Sequence, residues 1–143
     1  MTQLWLLVAA SSGPHAQAPT PPPVDTTVTV NAGMALEFDP ATIALKHGLR
    51  VRLRFINAGS LPHNIVFVKR EDDLDALASA ASKAGGNYVP LDMKDRIFAY
   101  TLLASPGETL ETTFVVPPPG TYTYVCLMSG HSNVMLGTLR SLK

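Results

Sequence analysis

Cysteine is nearly absent. The 143 residues carry one, Cys126, so no intramolecular disulfide can form. Histidine is scarce as well, with four: His15, His47, His63 and His131. Neither charge is in surplus, since eleven Lys and Arg balance eleven Asp and Glu. A nucleic-acid partner is therefore not expected, because neutralising phosphates requires a basic excess. The apolar run Leu4–Ala10 has seven residues, far short of the about 20 that cross a bilayer. Stable membrane insertion is not expected, and neither is a lipid anchor, because no cysteine follows closely on that run.

What the chain does have is a cluster of soft and borderline ligands near its C-terminus: Cys126-Leu127-Met128-Ser129-Gly130-His131-Ser132-Asn133-Val134-Met135. Cys126, His131 and Met135 are spaced C-x4-H-x3-M, and His63 stands upstream in Pro62-His63-Asn64. Taken singly, each has an ordinary explanation: a lone cysteine is usually a small buried hydrophobe, and a methionine usually fills core. Together they make the donor set of a type 1 copper site, with one thiolate, two imidazoles and a weak axial thioether. The thiolate holds Cu(I) and imidazole suits both oxidation states. A thioether too weak to dictate geometry lets one site serve both with little rearrangement, as a one-electron carrier requires. Ser129-Gly130 supplies turn chemistry, so one short loop can present three of the four ligands.

The ligand loop resembles that of azurins, whose usual form is Cys-Thr-Phe-Pro-Gly-His-Ser-Ala-Leu-Met; Cys126, Gly130, His131, Ser132 and Met135 match in place. The stretch Asn57-Ala58-Gly59-Ser60-Leu61-Pro62-His63-Asn64-Ile65-Val66-Phe67 is similar to plastocyanins instead. From Val28 to Lys143 the chain thus resembles the cupredoxin family, with an azurin-type or auracyanin-type loop and a plastocyanin-like first histidine. The resemblance implies one copper ion held by His63, Cys126, His131 and Met135. It implies that the Asn64 backbone N–H donates to the Cys126 sulfur while the Asn64 side chain ties its strand to the ligand loop. Met128 offers a second N–H to that sulfur, where plastocyanins usually have proline. His131 becomes the surface-nearest ligand and electron port, collared by Leu61, Pro62, Met128 and Val134. Two departures stand out. The disulfide that azurins usually carry is missing, and Pro62 replaces a glycine whose carbonyl approaches the copper in azurins. The proline ring fixes φ, and no second axial contact is predicted.

Along the chain, residues 1–18 read as a signal peptide with an Ala16-Gln17-Ala18 cleavage pattern but no basic start. Residues 19–27 read as a Pro-rich spacer, and 28–143 as the domain. Strands are predicted at Val28–Val30, Ala35–Phe38, Thr42–Leu45, Leu49–Ile56, His63–Val68, Arg96–Leu103, Thr109–Val116, Thr121–Cys126 and Leu136–Leu142. The alternation at Leu49–Ile56 is the clearest: Val51, Leu53 and Phe55 face a core and Arg50, Arg52 and Arg54 face water. A helix is predicted over Glu71–Lys83, acids first and lysine last, its acidic N-terminus solvated. His47, in a turn, is expected to be solvated and Tyr122 and Tyr124 to be packing residues. About eight short strands with a helical insertion predict an all-β Greek-key sandwich.

The expected function is mononuclear blue-copper electron transfer, cycling Cu(I)/Cu(II) between redox partners such as cytochromes or membrane electron-transfer complexes. A copper-binding or delivery protein of the periplasm is the alternative. An enzyme is not expected: multicopper oxidases and nitrite reductases need further histidines, a binuclear copper centre needs two cysteines, and nothing orients Cys126 for hydrolysis. A periplasmic or otherwise exported monomer is expected.

Overall fold

Two sheets form because two kinds of apolar patterning occur in the chain. In β4 (Arg50–Asn57), strict alternation puts Val51, Leu53 and Phe55 at full burial while Arg52 and Arg54 stay exposed. The two arginines meet Glu111 across the sheet at 3.8 and 3.2 Å. These are solvated ion pairs, worth about 0–1 kcal/mol, and this face needs no ligand to explain it. In β5 (Val66–Val68) all three residues are buried. A strand apolar on both faces must be covered on both, and the helix supplies the second cover.

The structure is a computed structural model and describes residues 21–143; the apolar leader, His15 and the start of the Pro-rich spacer lie outside the described residues. Before β4 come β1 (Thr26–Ala32), β2 (Phe38–Asp39) and β3 (Thr42–Lys46). After β5 come the helix α1 (Leu74–Ala81), β6 (Ile97–Tyr100), β7 (Thr109–Val115), β8 (Gly120–Val125) and β9 (Leu136–Leu142). One sheet has the order β2-β1-β4-β7 and the other β3-β9-β8-β5-β6. The β1–β4 and β3–β9 pairs are parallel, so the chain crosses between sheets, and the result is the all-β sandwich with a short helix.

Between the sheets, Phe67 packs its ring 5.1–5.5 Å from those of Tyr124, Phe114 and Phe98. Phe38, Phe55, Leu53, Cys126 and Met135 belong to the same core. On the outer face of the second sheet, Leu77 and Ala81 of α1 cover Val66, Val68, Val125 and Leu127. The helix is shorter than predicted, because Glu71–Asp73 winds as a 3₁₀ turn before it. Asp73 is not solvated: it is 4% exposed and meets Arg70 at 3.2 Å and Arg96 at 3.0 Å.

Other boundaries differ for local reasons. The segment Ala35–Glu37 is not strand; Leu36 takes a left-handed φ of 55° and Gly33 N–H donates to Glu37 O at 2.9 Å, closing a loop. The strand expected over Arg96–Leu103 starts after a 3₁₀ segment (Leu91–Arg96) and ends at Tyr100. His63 lies before β5 rather than in it.

Candidate metal centre

Two loops at one end of the sandwich carry the predicted ligands. The first leaves β4 and reaches His63, which is joined to Ala104 as a single bridge: His63 N–H donates to Ala104 O at 3.1 Å and Ala104 N–H to His63 O at 2.8 Å. The second leaves β8 at Cys126 and folds back on itself. Its Cys126 N–H donates to Met135 O at 3.1 Å, Met135 N–H to His131 O at 2.8 Å, and His131 N–H to Met128 O at 2.9 Å. Gly130 turns it, with a φ of 82° that favours glycine. The C-x4-H-x3-M spacing is thus the length of a hydrogen-bonded loop that starts and ends at the base of neighbouring strands.

The side chains converge. Cys126 Sγ lies 3.7 Å from His63 Nδ1 and 3.6 Å from His131 Nδ1, and all three potential donor atoms are within 4.8 Å of one another. Cys126 and Met135 are fully buried, His63 is 1% exposed and His131 6%. Burial pushes the Cys126 thiol above its ordinary pKa, opposed by the backbone N–H groups of Asn64 and Met128, which favour the thiolate. Burial holds both imidazoles below theirs, and at His63 the neighbouring His131 adds to the effect. Burial thus favours neutral imidazoles with lone pairs free, and the sulfur needs a compensating cation to stand as a thiolate. A first-row metal ion fits that need. His63, Cys126 and His131 would hold such an ion, one soft donor and two imidazoles lying within mutual reach.

A family model describing copper-binding proteins of the plastocyanin/azurin family matches residues 24–140. The chain belongs to that family. Its cupredoxin relatives include auracyanin-A of Chloroflexus aurantiacus, 39% identical over 111 residues that span 75% of this chain and 68% of the relative. Auracyanin-B of the same organism is 37% identical over 119 residues, 79% of this chain; the match spans about half (51%) of that relative. The solved structure of auracyanin A, described as a "blue" copper protein, superposes with a TM-score of 0.76 at 36% identity, covering 81% of this chain and 98% of that one. Auracyanin B superposes at 0.79 with 34% identity, covering 87% and 94%. The cofactor of this cupredoxin is copper, the family's role is blue-copper electron transfer, and His63, Cys126, His131 and Met135 are positioned as a type 1 site.

The side-chain half of the role predicted for Asn64 is visible: the residue ties its strand to the ligand loop. It is completely buried, its Oδ1 accepts from Leu127 N–H at 2.8 Å, and its Nδ2 donates to Asn87 O at 2.9 Å. It thus joins the ligand loop to the segment that follows α1. Pro62 and Met128 are half-buried at the site's edge, Leu61 is 45% exposed and Val134 60%. His47 is apart from the site; its Nδ1 lies 3.0 Å from Pro117 O and fastens a turn, so it is exposed but not merely solvated. Sequence reasoning missed Thr101, whose Oγ1 accepts from Ile65 N–H at 3.3 Å beside the first ligand, and Asn87, whose Oδ1 accepts from Leu103 N–H at 3.4 Å. No local pattern announces either, because each acts on a distant segment.

Proposed function

We propose that this chain is a mononuclear blue-copper electron carrier in which His63, Cys126 and His131 hold one copper ion and Met135 is its weak fourth ligand. The observation that carries this reading is the convergence of one thiol and two imidazoles, all buried, within 4.8 Å. A bound copper ion supplies a one-electron Cu(I)/Cu(II) couple. The residues do the rest. The closed ligand loop and the His63–Ala104 bridge hold the donors before any metal arrives, so a change of oxidation state meets a frame with little room to relax. The Asn64 and Met128 N–H groups favour charge on the sulfur.

Electrons would enter at His131, the less buried of the two imidazoles at 6% against 1%. Leu61 and Val134, both exposed, and half-buried Pro62 and Met128 offer an apolar collar there. A chain of zero formal charge docks by such contact. Its partners are redox proteins such as cytochromes or membrane electron-transfer complexes. On this reading the protein works as an exported monomer, residues 1–18 are a signal, 19–27 a spacer and 28–143 the working domain, and it turns over no substrate.

Addition of Cu(II) to the apo protein should give an intense blue absorption that ascorbate bleaches, and the Cys126→Ser variant should lack it. A pale absorption in the wild type, or an undiminished band in the variant, would remove the thiolate from the ligand set and the carrier reading with it. Reduced protein that yields its copper readily to a chelator would instead favour copper delivery.

A further inference from the structure

Asn57 ends β4 and is completely buried, a costly position for a primary amide unless its polar atoms are matched. They are matched, and entirely by backbone groups of the two segments around His63. Asn57 Nδ2 donates to Leu61 O at 2.8 Å and to Ala104 O at 2.9 Å, while Oδ1 accepts from Gly59 N–H at 3.0 Å. Ala104 O is also the acceptor for His63 N–H, so Asn57 and His63 share one carbonyl. The Asn57 main chain is itself held, its N–H by Glu108 O at 2.9 Å and its carbonyl by Gly107 N–H at 2.8 Å. Gly59, gripped by Oδ1, rests against the imidazole: a Cβ there would stand 3.3 Å from His63 Nε2 and 2.9 Å from Gly33 O. The ring thus has Cys126 Sγ near its Nδ1 and the Asn57-held turn near its Nε2.

We propose that Asn57 is the positioning residue of His63, its amide clasping the Gly59–Leu61 turn and Ala104 and so setting where the imidazole stands against Cys126. Only an amide of this length supplies both functions used: an acceptor for one N–H and donors for two carbonyls. Aspartate keeps the acceptor and loses the donors; leucine keeps the branching and heavy-atom count, is bulkier, and loses every polar atom. The inference rests on the copper reading above.

The test compares copper-loaded wild type with Asn57→Leu. Absence of a blue band in wild type would retire the copper reading itself, independently of Asn57. With a blue wild type, Asn57→Leu should keep a thiolate–copper band but at a changed wavelength, and bind Cu(II) about 10- to 100-fold more weakly, the usual effect of removing an outer partner of a ligand. In NMR spectra of the reduced Cu(I) protein the His63 ring signals should move and those of His131 stay. An unchanged spectrum, affinity and His63 signal, with only a lower unfolding midpoint, would overturn the proposal and leave Asn57 a strand cap. Equal movement of both rings would overturn it too. Should Asn57→Leu not fold, Gly59→Ala presses on the same turn with the amide in place; a shift confined to His63 supports the clasp, and unmoved His63 signals overturn it.

Discussion

Two backbone N–H groups lower the Cys126 pKa against burial, one from each arm of the site: Asn64 beside the first histidine and Met128 inside the ligand loop. Both favour negative charge on sulfur. Because reduction lowers the positive charge opposite that sulfur by one, each donor stabilises the reduced state more than the oxidised. Met128→Pro deletes one of them and should lower the reduction potential. A net hydrogen bond of about 1 kcal/mol corresponds to about 40 mV for one electron, which bounds the fall. Met128→Ala, which keeps the N–H, should stay near the wild-type value in the same voltammetry. A potential unchanged or raised by proline would remove the Met128 N–H from the account. The contrast between Met128 and Asn57 shows what can be read from a chain at this scale. Met128 acts two residues from its target, so spacing reveals it. Asn57 acts through Ala104, 47 positions away, and only the folded register brings them together.

Among the elements, β8 and β9 carry the ligand loop, and their pairing depends on one small residue. Gly137 lies opposite Tyr124 in the antiparallel ladder, and a Cβ on it would fall 2.0 Å from the tyrosine ring. The ring has nowhere to go: it is fully buried against Phe38 and Phe67, and its hydroxyl donates to Pro40 O at 2.6 Å. Gly137→Ala should therefore cost about 1–3 kcal/mol or more of apo stability, read as a lower urea midpoint. Because Met135 precedes β9 by one residue, the variant should also weaken copper binding, whereas a midpoint equal to wild type would show that the strands can part to accept a methyl group. Strands with a buried and a wet face were legible in the sequence, β4 above all, since their alternation records both environments. Where tertiary contacts decide, the reading failed: Leu36 bends a segment of ordinary β composition into a loop, and the residues after Tyr100 leave the ladder to reach His63 through Ala104. The helix was legible from its composition. Its 3₁₀ start was not, because Asp73 is drawn inward by Arg70 and Arg96, and Arg96 lies 23 positions away.

Taken as a whole, the sandwich buries two imidazoles and a thiol, and among the described residues no ion pair balances a proton on either ring. This fixes the sign of its acid response. Burial lowers the folded pKa of His63 and His131 from the ordinary value of 6.5. Above about 6.5 both rings are neutral folded or unfolded, and their stability contribution is present in full. As pH falls below that, the unfolded chain takes up protons that the folded one resists, so stability is lost down through the folded values. A second loss follows at lower pH. Asp73 has its pKa lowered, first by the hydrogen bond from Arg70, below the ordinary 3.8, so its contribution holds above that value and disappears as the carboxylate protonates. The apo protein should thus show a urea midpoint that falls as the pH drops below about 6.5 and falls again below about pH 4. Replacing both His63 and His131 with Gln should flatten the first limb, and Asp73→Asn the second. Copper should raise the midpoint without flattening the first limb, because the metal requires the same nitrogens unprotonated. Its stabilising effect should shrink as protons compete for them. A first limb that survives in the double variant would place the titrating groups elsewhere and break the link between imidazole burial and the acid stability of this fold.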